Sequence, residues 1–197
     1  MGSIQWEFEI SKALDAALGT ETSANLAAAI RYSMLSPGKR FRPRLMEASA
    51  TALGVSRGSF LPFGVALEWI HGFTLIHDDL PCMDDDDLRR GIPTCHKVHG
   101  EALALLAGDA LIPAAFEWTL KSLDAGTPMA SWRRAFEILT HCSGPRGVIG
   151  GQAEEMSLVD GTMRGLEPLR HMHALKTGAL FDAAILIPAC LAGLAPA

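Results

Sequence analysis

The chain has no alternating Val/Ile/Thr run, no C-x-x-C pair, no basic excess and no long uninterrupted apolar stretch. Each absence removes a class of protein. Without alternating β-branched residues there is little from which to build strands, and the prevailing Ala, Leu, Met and Glu favour helix. Cys82, Cys95, Cys142 and Cys190 lack the spacing of a disulfide framework, so reduced thiols and a cytoplasmic location are expected. Lys and Arg number 17 against 22 Asp and Glu, a net charge of −5. That argues against nucleic acid as a partner, because non-specific binding needs a net basic surface. No basic start followed by an apolar run marks a secretory signal. The most apolar segment, 183–195, spans 13 residues and contains Pro188. A bilayer needs roughly 20 residues, so a buried helix and no transmembrane segment are expected.

What is present is helical pattern. Helices are expected over 4–18, 23–35, 43–54, from 59 to the aspartate cluster, and near 100–124, 130–142, 145–159, 166–175 and 177–194. Gly/Pro punctuation ("GIP", "GTP", "SGPRG", "DGT") separates the later ones. At 197 residues the chain can bury a substantial core. One all-α domain over 1–197 is expected, with several helices too apolar to lie on a surface.

The charge is concentrated in "IHDDLPCMDDDDLRRG", residues 76–91. Six aspartates (Asp78, Asp79, Asp84, Asp85, Asp86, Asp87) occupy ten positions, with Arg89 and Arg90 directly behind. On an ideal helix Asp84 lies about 120° round from Asp78. Pro81 cannot donate to the carbonyl of His77, so the helix should deform or end there and let Asp84 swing toward Asp78. Two converging carboxylates suit Mg²⁺, which takes one or two carboxylates and completes its shell with water and phosphate oxygens. Paired arginines suit phosphate. The plainer alternative is a solvated acidic loop neutralised by its arginines. Against it, "ALEWIHGFTLIHDD" is apolar, and carboxylates leaving a buried helix need a cation. "GKRFRP", residues 38–43, supplies a second basic segment. An EF-hand is disfavoured for want of its alternating acids and central Gly. His96 and His99 lack partners at transition-metal spacing.

These residues resemble the trans-isoprenyl diphosphate synthase (polyprenyl synthetase) family. "DDLPCMD" looks like that family's first aspartate-rich motif, and "GKRFRP" looks like its basic loop. "LAGDAL", "GGQ" and "KTG" follow in family order, and the resemblance runs from about residue 26 to the C-terminus. It implies a bundle of antiparallel helices around a deep apolar pocket, usually a homodimer. It implies that Asp78 and Asp84 bind Mg²⁺ bridging an allylic diphosphate. Lys39, Arg42, His71 and Arg90 would hold isopentenyl diphosphate, and Arg89, Lys176 and Thr177 would contact the allylic diphosphate. Asp78, Asp84, Arg89 and Lys176 would carry catalysis. Without that resemblance, Lys39 and Arg42 read as surface charges, His71 as a core histidine and Lys176 as a helix cap.

The family's second aspartate-rich motif lies well beyond "KTG", and the sequence stops at Ala197 without it. The expectation is therefore a C-terminally incomplete synthase domain, its last helices missing. Two alternatives stand beside this reading. One is a non-catalytic or regulatory subunit. The other is a terpene cyclase, which should lack "GKRFRP" and the paired arginines. Product length is expected to depend on Phe73 and Thr74. Thr74 lies one turn before Asp78, and Phe73 lies about 7.5 Å down the helix. A phenyl ring there can act as a floor, giving farnesyl diphosphate.

Overall fold

The computed structural model describes residues 4–159, 161 and 164–194. Its helices are α1 (Trp6–Leu18), α2 (Ala24–Met34), α3 (Phe41–Ala52), α4 (Arg57–Asp78), α5 (Cys95–His99), α6 (Glu101–Lys121), α7 (Met129–Ser143), α8 (Val148–Val159), α9 (Leu166–His173) and α10 (Ala179–Leu191). The all-α bundle is the fold expected of the isoprenoid synthase type.

The hub is α4. Ser56 caps it, its hydroxyl accepting from the Ser59 amide. Residues 62–70 are buried without a break, so this helix is apolar on every side. α6, α3 and α10 pack against it. Gly64 lets Trp6 of α1 approach α4 closely, because a methyl at that position would occupy the indole ring's space. The Trp6 indole N–H and the Ile4 amide each donate to the Glu47 carboxylate at 2.9 Å, tying the N-terminal segment to α3.

Three features depart from the sequence expectations. First, a two-residue antiparallel hairpin pairs Leu88–Arg89 (β1) with Ile92–Pro93 (β2). Its turn residues, Arg90 and Gly91, both have positive φ, as tight hairpins of the primed type require. Second, residues 166–191 do not form two separate helices. A π-helical segment, Ala174–Gly178, joins α9 to α10, and it coincides with "KTG". Third, the 13-residue apolar segment is the end of a longer run, and α10 is not wholly buried. Ile185 and Leu186 face outward while Ala183, Ala184 and Ile187 face the core. Arg57–Asp78, Glu101–Lys121 and Leu166–Leu191 are each long and apolar enough to cross a bilayer by length and composition. The expectation of no such segment is corrected on that point. In Arg57–Asp78, 72% of the apolar window is buried inside the fold, so its hydropathy already has a use in the core.

Candidate active site

α4 ends at Asp78, three residues before Pro81. Turns over 81–84 follow, and the Asp84 amide donates back to the Asp78 carbonyl at 2.9 Å. This return brings the two acids together, as the proline suggested, and the Asp84 charge acts on Asp78. Burial pushes the Asp78 carboxyl up to about 6; Lys176 opposes that shift, while Asp84 and Glu155 add to it. A half-buried carboxylate with a second acid beside it suits a divalent cation. Among the described residues no group of three or more His, Cys, Asp or Glu could hold a metal. Two carboxylates are the number of protein ligands that Mg²⁺ commonly takes.

Asp78 lines a cavity of about 530 Å³. Its polar lining includes Arg42, His71, Asp78, Gln152, Lys176 and Thr177. Phe73, Leu105, Val148, Met156 and Leu180 contribute apolar wall. Phe73 is buried and packs edge-on against His77, and the Thr74 hydroxyl donates to the His71 carbonyl. Lys176 and Gln152 both donate to Oε2 of Glu155. Gly151 makes this grouping possible, since a methyl there would collide with the backbone of Leu175 and Lys176.

A second cavity, about 410 Å³, adjoins the first and shares Arg42 and His71 with it. It is also lined by Lys39, Arg40, Glu68 and Arg90. Arg90 reaches it from the hairpin turn, its guanidinium donating to the Pro37 carbonyl at 2.7 Å. Gly38 leaves the space that this guanidinium occupies. The Arg42 guanidinium lies 4.9 Å from the centroid of the Phe181 ring, and its Nε has no partner. Burial, with help from Arg42, Arg90 and Arg40, holds the His71 imidazole down at about 3, so it is neutral at pH 7. A basic hollow thus lies beside a mostly apolar one.

Arg89 lines neither of these cavities, but with Arg40, Glu68, His71 and Arg90 it lines a smaller one of about 40 Å³. Its Nε donates to Asp79 Oδ1 at 2.8 Å, and it also pairs with Asp86. The Asp79 bond raises the Arg89 pKa further. Three residues at or beside the cavities carried no sequence expectation: Arg40, Glu68 and Glu155. For Glu68 a signal existed. A lone acid inside "VALEWIHGF" needs a buried cation, and "GKRFRP" holds three. His96 is buried and bonded through Nδ1 to the Thr94 hydroxyl, while His99 packs edge-on against Tyr32.

Residues 23–197 match the family described as Polyprenyl synthetase. Among curated proteins, the chain is 44% identical over 186 residues to the chloroplastic geranylgeranyl pyrophosphate synthase 7 of Arabidopsis thaliana, covering 93% of this chain and 53% of that protein. It is 42% identical over 173 residues to the farnesyl diphosphate synthase of Geobacillus stearothermophilus, covering 88% and 58%. A crystal structure of a geranyltransferase from Legionella pneumophila superposes with a TM-score of 0.89 at 35% identity, covering 98% of this chain and 66% of that one. The chain spans about half the length of the curated relatives it matches.

Proposed function

This chain belongs to the polyprenyl synthetase family, and from that premise we propose that it is a prenyltransferase domain joining isopentenyl diphosphate to an allylic diphosphate. The observation that carries this reading is the pair of adjoining cavities, one basic and one mostly apolar, with Arg42 and His71 between them. Two diphosphates need two anion sites, and a growing hydrocarbon needs a dry channel. A terpene cyclase needs only one anion site, which disfavours that alternative.

Lys39, Arg42 and Arg90 bind the isopentenyl diphosphate, and neutral His71 donates an N–H to it. The allylic diphosphate lies at the mouth of the larger cavity against Lys176 and Thr177. Asp78 and Asp84 hold Mg²⁺ there, which when bound supplies charge stabilisation for the leaving diphosphate. Lys176 adds a fixed positive charge where negative charge develops. Arg89, clamped by Asp79, sets a further cation behind the aspartates. The apolar wall keeps water from the allylic cation. The isopentenyl double bond attacks that cation, and a proton then leaves to the departing diphosphate. Phe73, buried on the cavity wall, limits the chain to farnesyl diphosphate. A second copy of the chain is the partner; the exposed Leu105, Leu106 and Leu120 of α6 offer it an apolar face.

The test is chromatography of dephosphorylated products from the domain in a family-length chain. Farnesol is expected, with no product from Asp78→Ala or Asp84→Ala and geranylgeraniol from Phe73→Ala. Near-normal turnover by both aspartate variants would refute the metal assignment. No lengthening by Phe73→Ala would refute the floor.

A further inference from the structure

We infer that Arg40 is a positioning residue, anchored by Glu68, that holds Lys39 and Arg42 in the arrangement by which the basic cavity receives a diphosphate. The inference rests on the diphosphate reading of that cavity. Arg40 stands immediately before α3 in the left-handed backbone region, at φ 46° and ψ 44°. Glycine adopts that conformation without steric cost, and a long side chain gains nothing from it locally. The reason for arginine lies in its side chain. Nη1 donates to Glu68 Oε1 at 2.9 Å, and Nη2 donates to the carbonyls of Met34 and Ser36, each at 2.9 Å. One guanidinium thus ties the end of α2, the loop behind it and α4 into a single unit.

The consequence for the cavity is geometric. Glu68 and His71 are three residues apart on α4 and share a face. Anchoring Arg40 to Glu68 therefore fixes the 36–40 loop and the start of α3 against the turn that carries His71. The left-handed turn at Arg40 separates Lys39 from Arg42, and both line the same cavity. Arg40 and Glu68 are 5% and 3% exposed and are paired with each other through Nη1 and Oε1, while Arg40 Nε and Glu68 Oε2 have no hydrogen-bond partner. The cations left to meet a ligand are Lys39, Arg42 and Arg90. Arg40 acts through them.

Calorimetric titration of the intact chain with inorganic diphosphate, without added divalent cation, tests this apart from turnover. The informative variant is Arg40→Met/Glu68→Met. It leaves net charge unchanged and replaces a buried ion pair with apolar side chains, an exchange that proteins commonly tolerate. Positioning predicts an affinity loss of about tenfold or more, the scale of one charge-assisted contact, with Tm close to the parent's. A purely structural pair would move Tm and leave affinity alone. Lys39→Ala is the control for the site itself. If Lys39→Ala loses affinity while the folded double variant binds like the parent, the positioning role is wrong. If Lys39→Ala also binds like the parent, the diphosphate reading is wrong, and the inference goes with it. Arg40→Gly/Glu68→Gln accepts the left-handed backbone, removes every tie and keeps the net charge, and supplies the same comparison if the first double variant does not fold. Parental affinity in Arg40→Gly/Glu68→Gln overturns the inference, and weakened affinity supports it.

Discussion

Gly151→Ala is a stringent perturbation because the added methyl meets backbone, which cannot rotate aside. The methyl would lie on the Lys176 amide nitrogen, 2.6 Å from its Cα and 2.8 Å from the Leu175 carbonyl carbon. Ordinary contact begins near 3.4 Å, so α8 and the π segment must part by about 1 Å. Overpacking of this kind costs about 1–3 kcal/mol, and the rigidity of both partners places the cost toward the upper end. For a chain of this size each kcal/mol moves Tm by about 2–4 °C, so a drop of about 6–12 °C is expected in a thermal melt. Gly178→Ala, in the same π segment, is the control. Its nearest neighbours would be the His173 carbonyl at 3.8 Å and the Ala174 methyl at 4.0 Å, both ordinary contacts. With helical backbone at φ −60° it should gain up to about 1 kcal/mol from alanine's helix propensity. The Gly151 variant should also lose diphosphate affinity, because Lys176 moves with the segment. Equal melting temperatures for the two variants would refute the close approach of α8 to "KTG".

Asp78 predicts a pH dependence. With its carboxyl raised to about 6, Mg²⁺ affinity should be level above pH 6 and fall about tenfold per unit below it. Calorimetry from pH 5 to 8 reads this directly, and a midpoint near 4 would refute the buried ligand. The sign for stability is the opposite. A carboxyl whose folded pKa lies above its unfolded 3.8 binds more protons when folded, so metal-free protein gains stability from it as pH falls from 6 toward 4. Asp78→Asn should therefore melt higher than the parent at pH 7, with the gap closing toward pH 4. Lys39 lines only the basic cavity, whereas Arg42 lines both. Lys39→Ala should raise KM for isopentenyl diphosphate by about tenfold to a hundredfold, at roughly 1.5–3 kcal/mol per lost charged contact. Arg42→Ala should raise KM for both substrates, and identical profiles in the two variants would reject separate sites.

What the sequence made legible was set by short-range rules. Helix formers without strand alternation identified an all-α fold. Pro81 marked the end of α4 and the return of Asp84 toward Asp78. The π-helical segment at "KTG" was harder. Residues 166–175 and 177–194 are each helical by composition, and nothing local distinguishes a loop from a π-helical join. The difference is made by α8, whose Gly151 admits the backbone of the segment. Arg40 and Glu68 are 28 residues apart, so no local pattern pairs them. The clue was the lone carboxylate in an apolar helix, which says that a cation must arrive without saying from where.

The aspartate cluster shows why composition could not decide between a solvated loop and a metal site. Its six charges are not one unit. Asp79 is buried and holds Arg89, Asp86 lies 3.3 Å from the same guanidinium, and Asp87 pairs with Lys97 at 2.7 Å. Those three acids are neutralised by local cations, much as a solvated acidic loop would be. Asp78 differs. It is partly withdrawn from water, and its largest cationic influence is Lys176, some hundred residues away in sequence and itself engaged by Glu155, with Arg89 adding less. A carboxylate so placed is poorly compensated by protein alone. The local acids hold the hairpin and its arginines in place, and that leaves Asp78, on the wall of the larger cavity, with Asp84 folded back toward it, and the exposed Asp85 beyond them, as the acids with charge to offer a ligand.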